Sequence, residues 1–195
     1  MKIAVVTGAA QGIGRRTAEV LAEAGYGLLL MDVQPCTATV ASVRAAVPGV
    51  EVAEVLGDVS DEAVAGWAVK AVRSRWSRVD VLVNNAGISF IAPAETVEAA
   101  KFRRVLEVNL LGPFLLMKAF GAMMLERRSG SIVNVASIAG LVGVSDRSAY
   151  NASKHGLIGL TRTLAAEWGG RGVRVNAVCP GWVKTEMDAA DQSAP

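Results

Sequence analysis

Tyr150 and Lys154 are the residues of this chain whose types and spacing most directly indicate chemistry. They stand four positions apart in the segment Tyr-Asn-Ala-Ser-Lys, a spacing that brings two side chains to the same face of a helix. A free phenol ionises near pKa ~10 and is a weak acid or base at neutral pH, unless a neighbouring positive charge favours the phenolate. Because Lys154 supplies such a charge, the pair predicts proton transfer. A surface tyrosine packed on a lysine stem is the alternative.

Six short apolar segments without strict alternation recur along the chain, which is typical of strands that are covered on both faces. They are residues 3–6, 28–31, 50–56, 79–83, 132–135 and 173–178. Five segments of helical length and composition occupy residues 13–24, 37–47, 61–76, 98–127 and 148–168. This alternation predicts a doubly wound α/β fold of the Rossmann type, a parallel sheet with helices on both faces. We predict a single domain over residues 1–195, with its ligand at the carboxyl ends of the strands.

A glycine-rich turn follows the first predicted strand and leads into the first predicted helix. Gly8, Gly12 and Gly14 give it the spacing Gly-x-x-x-Gly-x-Gly. Glycines allow a tight turn and a close approach of the backbone to a ligand, and the N–H groups at the start of a helix can bind a pyrophosphate. The turn, with Gln11 and Ile13, therefore predicts a dinucleotide site. An ordinary strand-to-helix turn is the alternative.

Asp32 ends the second predicted strand, 18 positions after Gly14. This offset is close to the ~20 residues at which an acidic side chain meets the adenosine ribose hydroxyls of a dinucleotide. Because a carboxylate there repels a 2′-phosphate, we predict NAD as the cofactor rather than NADP. Arg15 and Arg16 could favour NADP, but we interpret them as part of a solvated helix face. The alternative role of Asp32 is to cap the turn that follows it.

Composition and charge limit the classes of partner. The 195 residues are 52% hydrophobic and carry a formal net charge of +2 with dispersed basic residues, so neither nucleic acid nor an anionic membrane is expected as a partner. The most apolar stretch, residues 110–124, contains Lys118 and is shorter than the ~20 residues that span a bilayer. Cys36 and Cys179 lie far apart without other metal ligands nearby, and the N-terminus leaves no room for a secretory signal. We expect a cytoplasmic protein that binds a small molecule and no metal.

The glycine turn, Asp32 and the Tyr-x-x-x-Lys pair, taken in chain order, resemble the short-chain dehydrogenase/reductase family. Further matches follow the order of that family over residues 4–185. Asn84-Asn85-Ala86-Gly87 resembles the motif that stabilises the sheet and lies beside the adenine ribose. Asp58-Val59 resembles the pair that contacts adenine. Taken singly, these residues could instead be turn formers or a helix cap.

The catalytic residues and the nicotinamide segment of the family also have matches in this chain. Asn109 and Ser137 match two members of its catalytic tetrad, and Ser137 stands 13 positions before Tyr150, the usual spacing. The segment Pro180-Gly181-Trp182-Val183-Lys184-Thr185 resembles the one that holds the nicotinamide carboxamide. The resemblance thus implies a catalytic tetrad of Asn109, Ser137, Tyr150 and Lys154. It implies these cofactor-binding residues: Gly8, Gln11, Gly12, Ile13, Gly14, Asp32, Asp58, Val59, Asn85, Ala86, Gly87, Tyr150, Lys154, Pro180, Gly181, Val183 and Thr185.

The activity that the resemblance implies is hydride transfer between C4 of a nicotinamide and the carbinol carbon of a secondary alcohol or the corresponding ketone. Tyr150 would take or give the hydroxyl proton, and Lys154 would favour the phenolate and hold the nicotinamide ribose. Ser137 would hydrogen-bond the reacting oxygen, and Asn109 would position a water that joins Lys154 to solvent. The alternative is a truncated NAD-binding protein without turnover, with a regulatory or scaffold role.

Two further expectations concern the substrate and the end of the chain. The presumed pocket walls, residues 88–93 and 138–144, are mostly apolar and carry no charge, which favours a neutral or apolar alcohol over a small acid. After Thr185, family members continue with a substrate-covering segment, a helix and a seventh strand, so we expect the chain to be incomplete at its C-terminus. Helices 98–127 and 148–168 resemble those of a family dimer contact. A homodimer or homotetramer is expected if the C-terminus is complete.

Overall fold

The computed structural model describes residues 1–186, which form one parallel sheet of six strands flanked by helices. The strands are β1 (Lys2–Thr7), β2 (Tyr26–Asp32), β3 (Val52–Leu56), β4 (Val81–Asn84), β5 (Gly130–Val135) and β6 (Val173–Val178). The helices are α1 (Gly12–Glu23), α2 (Thr37–Ala46), α3 (Glu62–Arg75), α4 (Ala99–Leu106), α5 (Gly112–Glu126) and α6 (Ser148–Gly169). The strand order is β3-β2-β1-β4-β5-β6, which confirms the predicted doubly wound fold. The seventh strand of the family, which we expect to be missing from this chain, is not among the strands of residues 1–186.

The central strands β1 and β2 are covered on both faces. Every residue from Ile3 to Thr7, and from Gly27 to Met31, is buried. Successive side chains point to opposite faces: Val5 and Leu29 pack with α3, α5 and α6, whereas Ala4 and Leu28 pack with α1 and α2. Their apolar sequences therefore lack the alternation that a half-exposed strand would show.

The segment predicted as one helix over residues 98–127 is divided in the structure. A π-helical turn, Glu107–Leu111, separates α4 from α5. Pro113 in the first turn of α5 has no N–H to donate to the carbonyl of Asn109 four residues earlier, which weakens a regular α-helical ladder at this place. Single π turns of this kind occur frequently at functional sites.

The long helical stretch Ala99–Glu126 is apolar enough, by length and composition, to cross a membrane. However, 61% of its most apolar 18-residue window is buried inside the protein. Phe120, Leu116 and Met117 of α5 are among the largest fully buried side chains. The stretch therefore serves as a core helix beneath the sheet.

A matched pair of glycine substitutions tests the packing of the glycine turn. A Cβ on Gly14 in α1 would meet the carbonyl oxygen of Gly8 and lie 2.5 Å from Asn85 Nδ2. A Cβ on Gly66 in α3 would meet nothing within 4 Å among residues 1–186. Both changes to alanine raise helix propensity, so we expect Gly66→Ala to stabilise by ~0.5–1 kcal/mol and Gly14→Ala to destabilise by ~1–3 kcal/mol. Urea unfolding of both variants measures this difference; equal stabilities would contradict the close contact.

Candidate active site

A cavity of about 410 Å³ opens at the carboxyl ends of the strands, beside the junction of β1 and β4. Fold and sequence both direct a ligand to this edge, because the chain winds in opposite directions on either side of that junction. The following predicted site residues line the cavity: Gly8, Gln11, Gly12, Ile13, Asp32, Asp58, Val59, Asn85, Ala86, Gly87, Ser137, Tyr150, Lys154, Pro180, Gly181, Val183 and Thr185. Gly14 and Asn109 are not part of that lining.

The glycine turn forms one end of the cavity. Gly8 and Gly12 have φ angles of +62° and +55°, in the left-handed region that glycine adopts without strain. Within the described part of the chain, Gln11 at the N-cap of α1 makes no side-chain cap, and the first turn holds no acidic residue. Its N–H groups therefore suit an anion, and the turn fits the pyrophosphate of a dinucleotide.

Hydrogen bonds attach the loop after β4 to the glycine turn. The backbone N–H groups of Asn85 and Ala86 both donate to Thr7 Oγ1, at 3.0 and 2.9 Å. The Asn85 amide donates in turn to the carbonyl oxygens of Thr7 and Gly8, at 3.0 and 3.1 Å. Asn85 thus fixes the distance between two walls of the cavity, and Gly14 packs behind this contact.

Asp32 lies at the carboxyl end of β2 with its carboxylate in the cavity wall. It accepts hydrogen bonds from the N–H of Ala10 at 2.9 Å and from that of Gln34 at 3.0 Å. The second bond is the turn cap considered from the sequence, so the residue both caps the turn and borders the cavity. Arg15 and Arg16 form ion pairs with Glu19 on α1, at 3.2 and 3.0 Å, in agreement with the interpretation of a solvated helix face.

Asp58, in the presumed adenine region, has a cationic partner that the sequence did not predict. Arg104 of α4 forms an ion pair with its carboxylate, and Ser60 donates from both its hydroxyl and its backbone N–H. Partial burial alone would raise the pKa of Asp58, but the hydrogen bonds from Ser60 and the charge of Arg104 lower it overall. Arg104 lines the cavity as well.

Tyr150 and Lys154 lie one turn apart on α6, as their spacing predicts. Lys154 Nζ is 5.5 Å from the centroid of the Tyr150 ring and donates a 2.8 Å hydrogen bond to the carbonyl oxygen of Val135 at the end of β5. Lys154 is only 4% exposed. Burial lowers its pKa to about 8, against a smaller opposing effect of nearby Cys179. A cation therefore sits beside the phenol in a place that water barely reaches.

Ser137 follows the end of β5 and precedes a short 3₁₀ turn, Ile138–Gly140. Its hydroxyl oxygen accepts a 3.1 Å hydrogen bond from the N–H of Ala139. The side chain lines the same cavity as Tyr150. The hydroxyl hydrogen can therefore be directed towards an oxygen bound in the cavity, because the accepted bond engages only the lone pairs.

Asn109 lies behind the cavity wall in the π-helical turn and is fully buried. Its amide accepts from the N–H of Ile88 at 2.8 Å and donates to the carbonyl of Ile88 at 2.9 Å and to Ser153 Oγ at 3.1 Å. The side chain therefore joins the loop after β4 to α6. A Cβ on Gly87 would lie 3.3 Å from Asn109 Oδ1 and 3.7 Å from Lys154 Nζ, so Gly87 leaves room between them. The water-positioning role of Asn109 stays a prediction.

Besides Arg104, Arg147 is a residue of the cavity that was not predicted from the sequence. Arg147 lines the cavity although it is only 8% exposed, and its Nη1 donates to Ser89 Oγ at 2.8 Å. Its guanidinium carbon lies 5.3 Å from the ring centroid of Trp182, which is 72% exposed. The cavity wall therefore carries a positive charge at Arg147. The apolar segments 88–93 and 138–144 had suggested an uncharged substrate pocket. The signal in the sequence is the position of Arg147, three residues before Tyr150.

Comparisons with known proteins agree with this geometry. A family model described as short chain dehydrogenase matches residues 2–195. Levodione reductase of Leifsonia aquatica is 41% identical over 189 residues, which are 95% of this chain and 71% of that protein. D-threitol dehydrogenase of Mycolicibacterium smegmatis is 43% identical over 189 residues, or 95% of this chain and 72% of the relative.

Solved structures show the same fold. A crystal structure of levodione reductase matches with a TM-score of 0.93 at 41% identity, covering 95% of this chain and 73% of that one. A putative NAD(P)-dependent gluconate 5-dehydrogenase from Beutenbergia cavernae, with NADP bound at low occupancy, gives a TM-score of 0.90 at 43% identity. Here the match covers 97% of this chain and 75% of the other. Nothing in these comparisons supports a binding protein without turnover.

The burial of Lys154 has a testable effect on stability. The folded protein holds Lys154 with a pKa of about 8, below the ordinary 10.5, so between these pH values the unfolded chain binds more protons than the folded one. Stability therefore rises with pH across that window. The quantity to compare is the free energy of unfolding of the wild type minus that of Lys154→Met. We expect this difference to increase by up to ~3 kcal/mol from pH 8 to pH 10.5, since one pKa unit corresponds to ~1.4 kcal/mol. Urea unfolding at several pH values measures it, and a constant difference would contradict the burial of the charge.

Proposed function

The chain belongs to the short-chain dehydrogenase/reductase family, and from this premise we propose an NAD-preferring enzyme whose acid/base residue is Tyr150. NAD(P)-dependent oxidoreduction between an alcohol and a ketone is the activity of the family members to which it is related. The observation that carries our proposal is the buried Lys154 ammonium, 5.5 Å from the Tyr150 ring. Both residues line the cavity that also contains the glycine turn.

We expect a nicotinamide dinucleotide to bind in this cavity. The glycine turn would hold the pyrophosphate, Asp32 the adenosine ribose, and the segment Pro180-Gly181-Trp182-Val183-Lys184-Thr185 the nicotinamide end. When bound, the cofactor supplies the site that accepts or gives a hydride. The task of the protein side chains is then to orient the substrate, exclude water and manage one proton.

Tyr150 would manage that proton. In the oxidative direction its phenolate oxygen takes the hydroxyl proton as the carbinol carbon loses a hydride, and in the reductive direction the phenol returns the proton to the forming alkoxide. The adjacent Lys154 cation favours the phenolate because opposite charges attract strongly where water is scarce. The hydrogen bond to Val135 holds this cation in position.

Ser137 and Asn109 would support the proton transfer in different ways. The Ser137 hydroxyl would donate to the substrate oxygen and stabilise the negative charge that develops on it. Asn109 clamps the backbone at Ile88 and the side chain of Ser153, which precedes Lys154 on α6. Through these bonds Asn109 acts as a positioning residue for Lys154, and we retain its proposed water contact.

NAD preference is proposed from Asp32 alone. Its carboxylate lines the cavity at the end of β2, where it would accept hydrogen bonds from ribose hydroxyls and repel a 2′-phosphate. The cationic side chains that could attract such a phosphate, Arg15 and Arg16, are engaged with Glu19. The NADP seen in the Beutenbergia cavernae structure belongs to that protein.

We also propose a single-domain, cytoplasmic protein that forms a homodimer or homotetramer if its C-terminus is complete. All described strands belong to one sheet, which supports one domain. Leu111 and Phe114, near the start of α5, keep 43% and 40% of their surface exposed. Apolar side chains left in solvent there support self-association through this helix.

Replacing Tyr150 with phenylalanine tests the acid/base assignment. A positioned acid/base group contributes ~10²–10⁴ to the rate, so kcat of Tyr150→Phe should fall by that factor, whereas NADH binding, followed by its fluorescence, should change little. Tyr26→Phe, at the other tyrosine of the chain, is the matched control and should keep wild-type kcat. Undiminished turnover of Tyr150→Phe would refute the assignment.

Asp32→Ala and Asp32→Asn test the cofactor preference. The two variants remove the negative charge, and asparagine keeps the size of the side chain and an oxygen for the turn. We expect the ratio of kcat/KM for NAD to that for NADP to fall by about 10-fold or more in both, because like charges held together cost several kcal/mol. A ratio equal to that of the wild type in the asparagine variant would remove Asp32 from this role.

A further inference from the structure

Arg147 brings a second buried cation to the cavity. It is the N-cap residue of α6, three positions before Tyr150, and is 8% exposed while lining the same cavity. Arginine is almost never this deeply buried unless it meets suitable partners. Its location at the proposed substrate end distinguishes it from Arg104, which lies beside Asp58.

Side chains from two other segments fix the orientation of the Arg147 guanidinium. Nη1 donates to Ser89 Oγ at 2.8 Å, from the loop after β4. The indole of Trp182, in the segment after β6, covers the guanidinium with 5.3 Å between the guanidinium carbon and the ring centroid. A guanidinium has five N–H donors in a rigid fork, so it can serve several acceptors at once. Orientation by Ser89 and Trp182 prepares it for a planar, bidentate acceptor.

We propose that Arg147 selects the substrate by binding its carboxylate, so that the natural substrate is a short hydroxy acid or the corresponding oxo acid. This inference rests on the proposed function, in which Tyr150 receives the proton of the reacting hydroxyl. Arg147 at the N-cap of α6 and Tyr150 in its first turn both line the cavity. Arg147 and Tyr150 can therefore contact one small molecule whose carboxylate stands a few bonds from its carbinol carbon.

The remaining pocket walls limit the rest of that molecule. Ile88, Ile138 and Val144 also line the cavity, and they offer apolar contact to a short hydrocarbon portion. The sequence favoured a neutral alcohol because the ranges 88–93 and 138–144 hold no charge. The structure adds Arg147 to that pocket, so the preferred substrate becomes an acid with an apolar remainder.

The test compares acids with their neutral amides in the same enzyme. Short 2- and 3-hydroxycarboxylates and their primary amides are oxidised with NAD by the wild type, Arg147→Met, Arg147→Lys and Arg162→Met. Arg162 is an exposed arginine on the same helix and provides the matched control. The affinity of each enzyme for NADH, and of the enzyme–NADH complex for the carboxylates, is measured by NADH fluorescence.

We expect the wild type to favour at least one acid over its amide in kcat/KM. In Arg147→Met that acid-to-amide ratio should fall about 10- to 100-fold, the loss associated with a hydrogen bond to a charged group. Lysine should restore part of the ratio, because it keeps the charge and loses the fork. Arg162→Met should resemble the wild type, and NADH affinity should be alike in all four proteins.

Three results would overturn the proposal: a wild type that prefers the amides, an Arg147→Met variant that loses both substrates equally, or one whose main defect is NADH binding. If Arg147→Met does not fold, the wild-type ratio and that of Arg147→Lys decide the question. Failure of the proposed function would give a different pattern of substrate oxidation. In that case the wild type would oxidise no alcohol at all, neutral or acidic, while the inference alone fails if neutral alcohols are good substrates and acids are poor.

Discussion

The proposed chemistry of the cavity depends on a positive charge that is almost completely buried. Lys154 is 4% exposed, and its ammonium group meets the carbonyl oxygen of Val135. Burial favours the neutral amine and lowers the pKa of Lys154 to about 8. Near neutral pH the buried ammonium therefore lowers the stability of the folded protein. The same cost makes the charge effective, because the field of a cation on a neighbouring phenol is stronger where water is excluded. Stability and the proposed chemistry thus oppose each other at one residue.

Several buried polar contacts hold the walls around that charge. Asn134 of β5 accepts from Asn84 of β4 and donates to Thr161 of α6, both at 2.8 Å, so the helix that carries Tyr150 is attached to the sheet beneath it. Asn109 joins the same helix to the loop after β4, through Ser153 and Ile88. The amides of Asn134 and Asn109 are buried with both their oxygen and their nitrogen hydrogen-bonded, and such satisfied buried groups specify one arrangement. The active-site geometry is therefore a property of the packed core as much as of the cavity surface.

Most of the fold could be predicted from the sequence because its signals are local. The apolar runs of β1 and β2 follow from burial on both faces, the glycine turn from its backbone geometry, and the Tyr150–Lys154 pair from helical spacing. Other features depend on contacts between distant segments, which a single sequence does not reveal. The ion pair of Asp58 with Arg104 and the placement of Arg147 between Ser89 and Trp182 are of this kind. The π-helical turn at Asn109 was not predicted, because proline is also common in the first turn of ordinary α-helices. Pro113 alone therefore does not indicate a π turn before it.

The most direct test of this account is to titrate the Lys154 side chain itself. Lysine labelled with ¹³C at Cε gives an NMR signal whose shift follows protonation, and its absence from the Lys154→Met spectrum assigns it. We expect a pKa of about 8 for this lysine in the protein without cofactor, whereas an ordinary lysine has 10.5. A titration near 10.5 would mean that the ammonium is solvated, and would contradict the buried charge on which the proposed proton transfer depends.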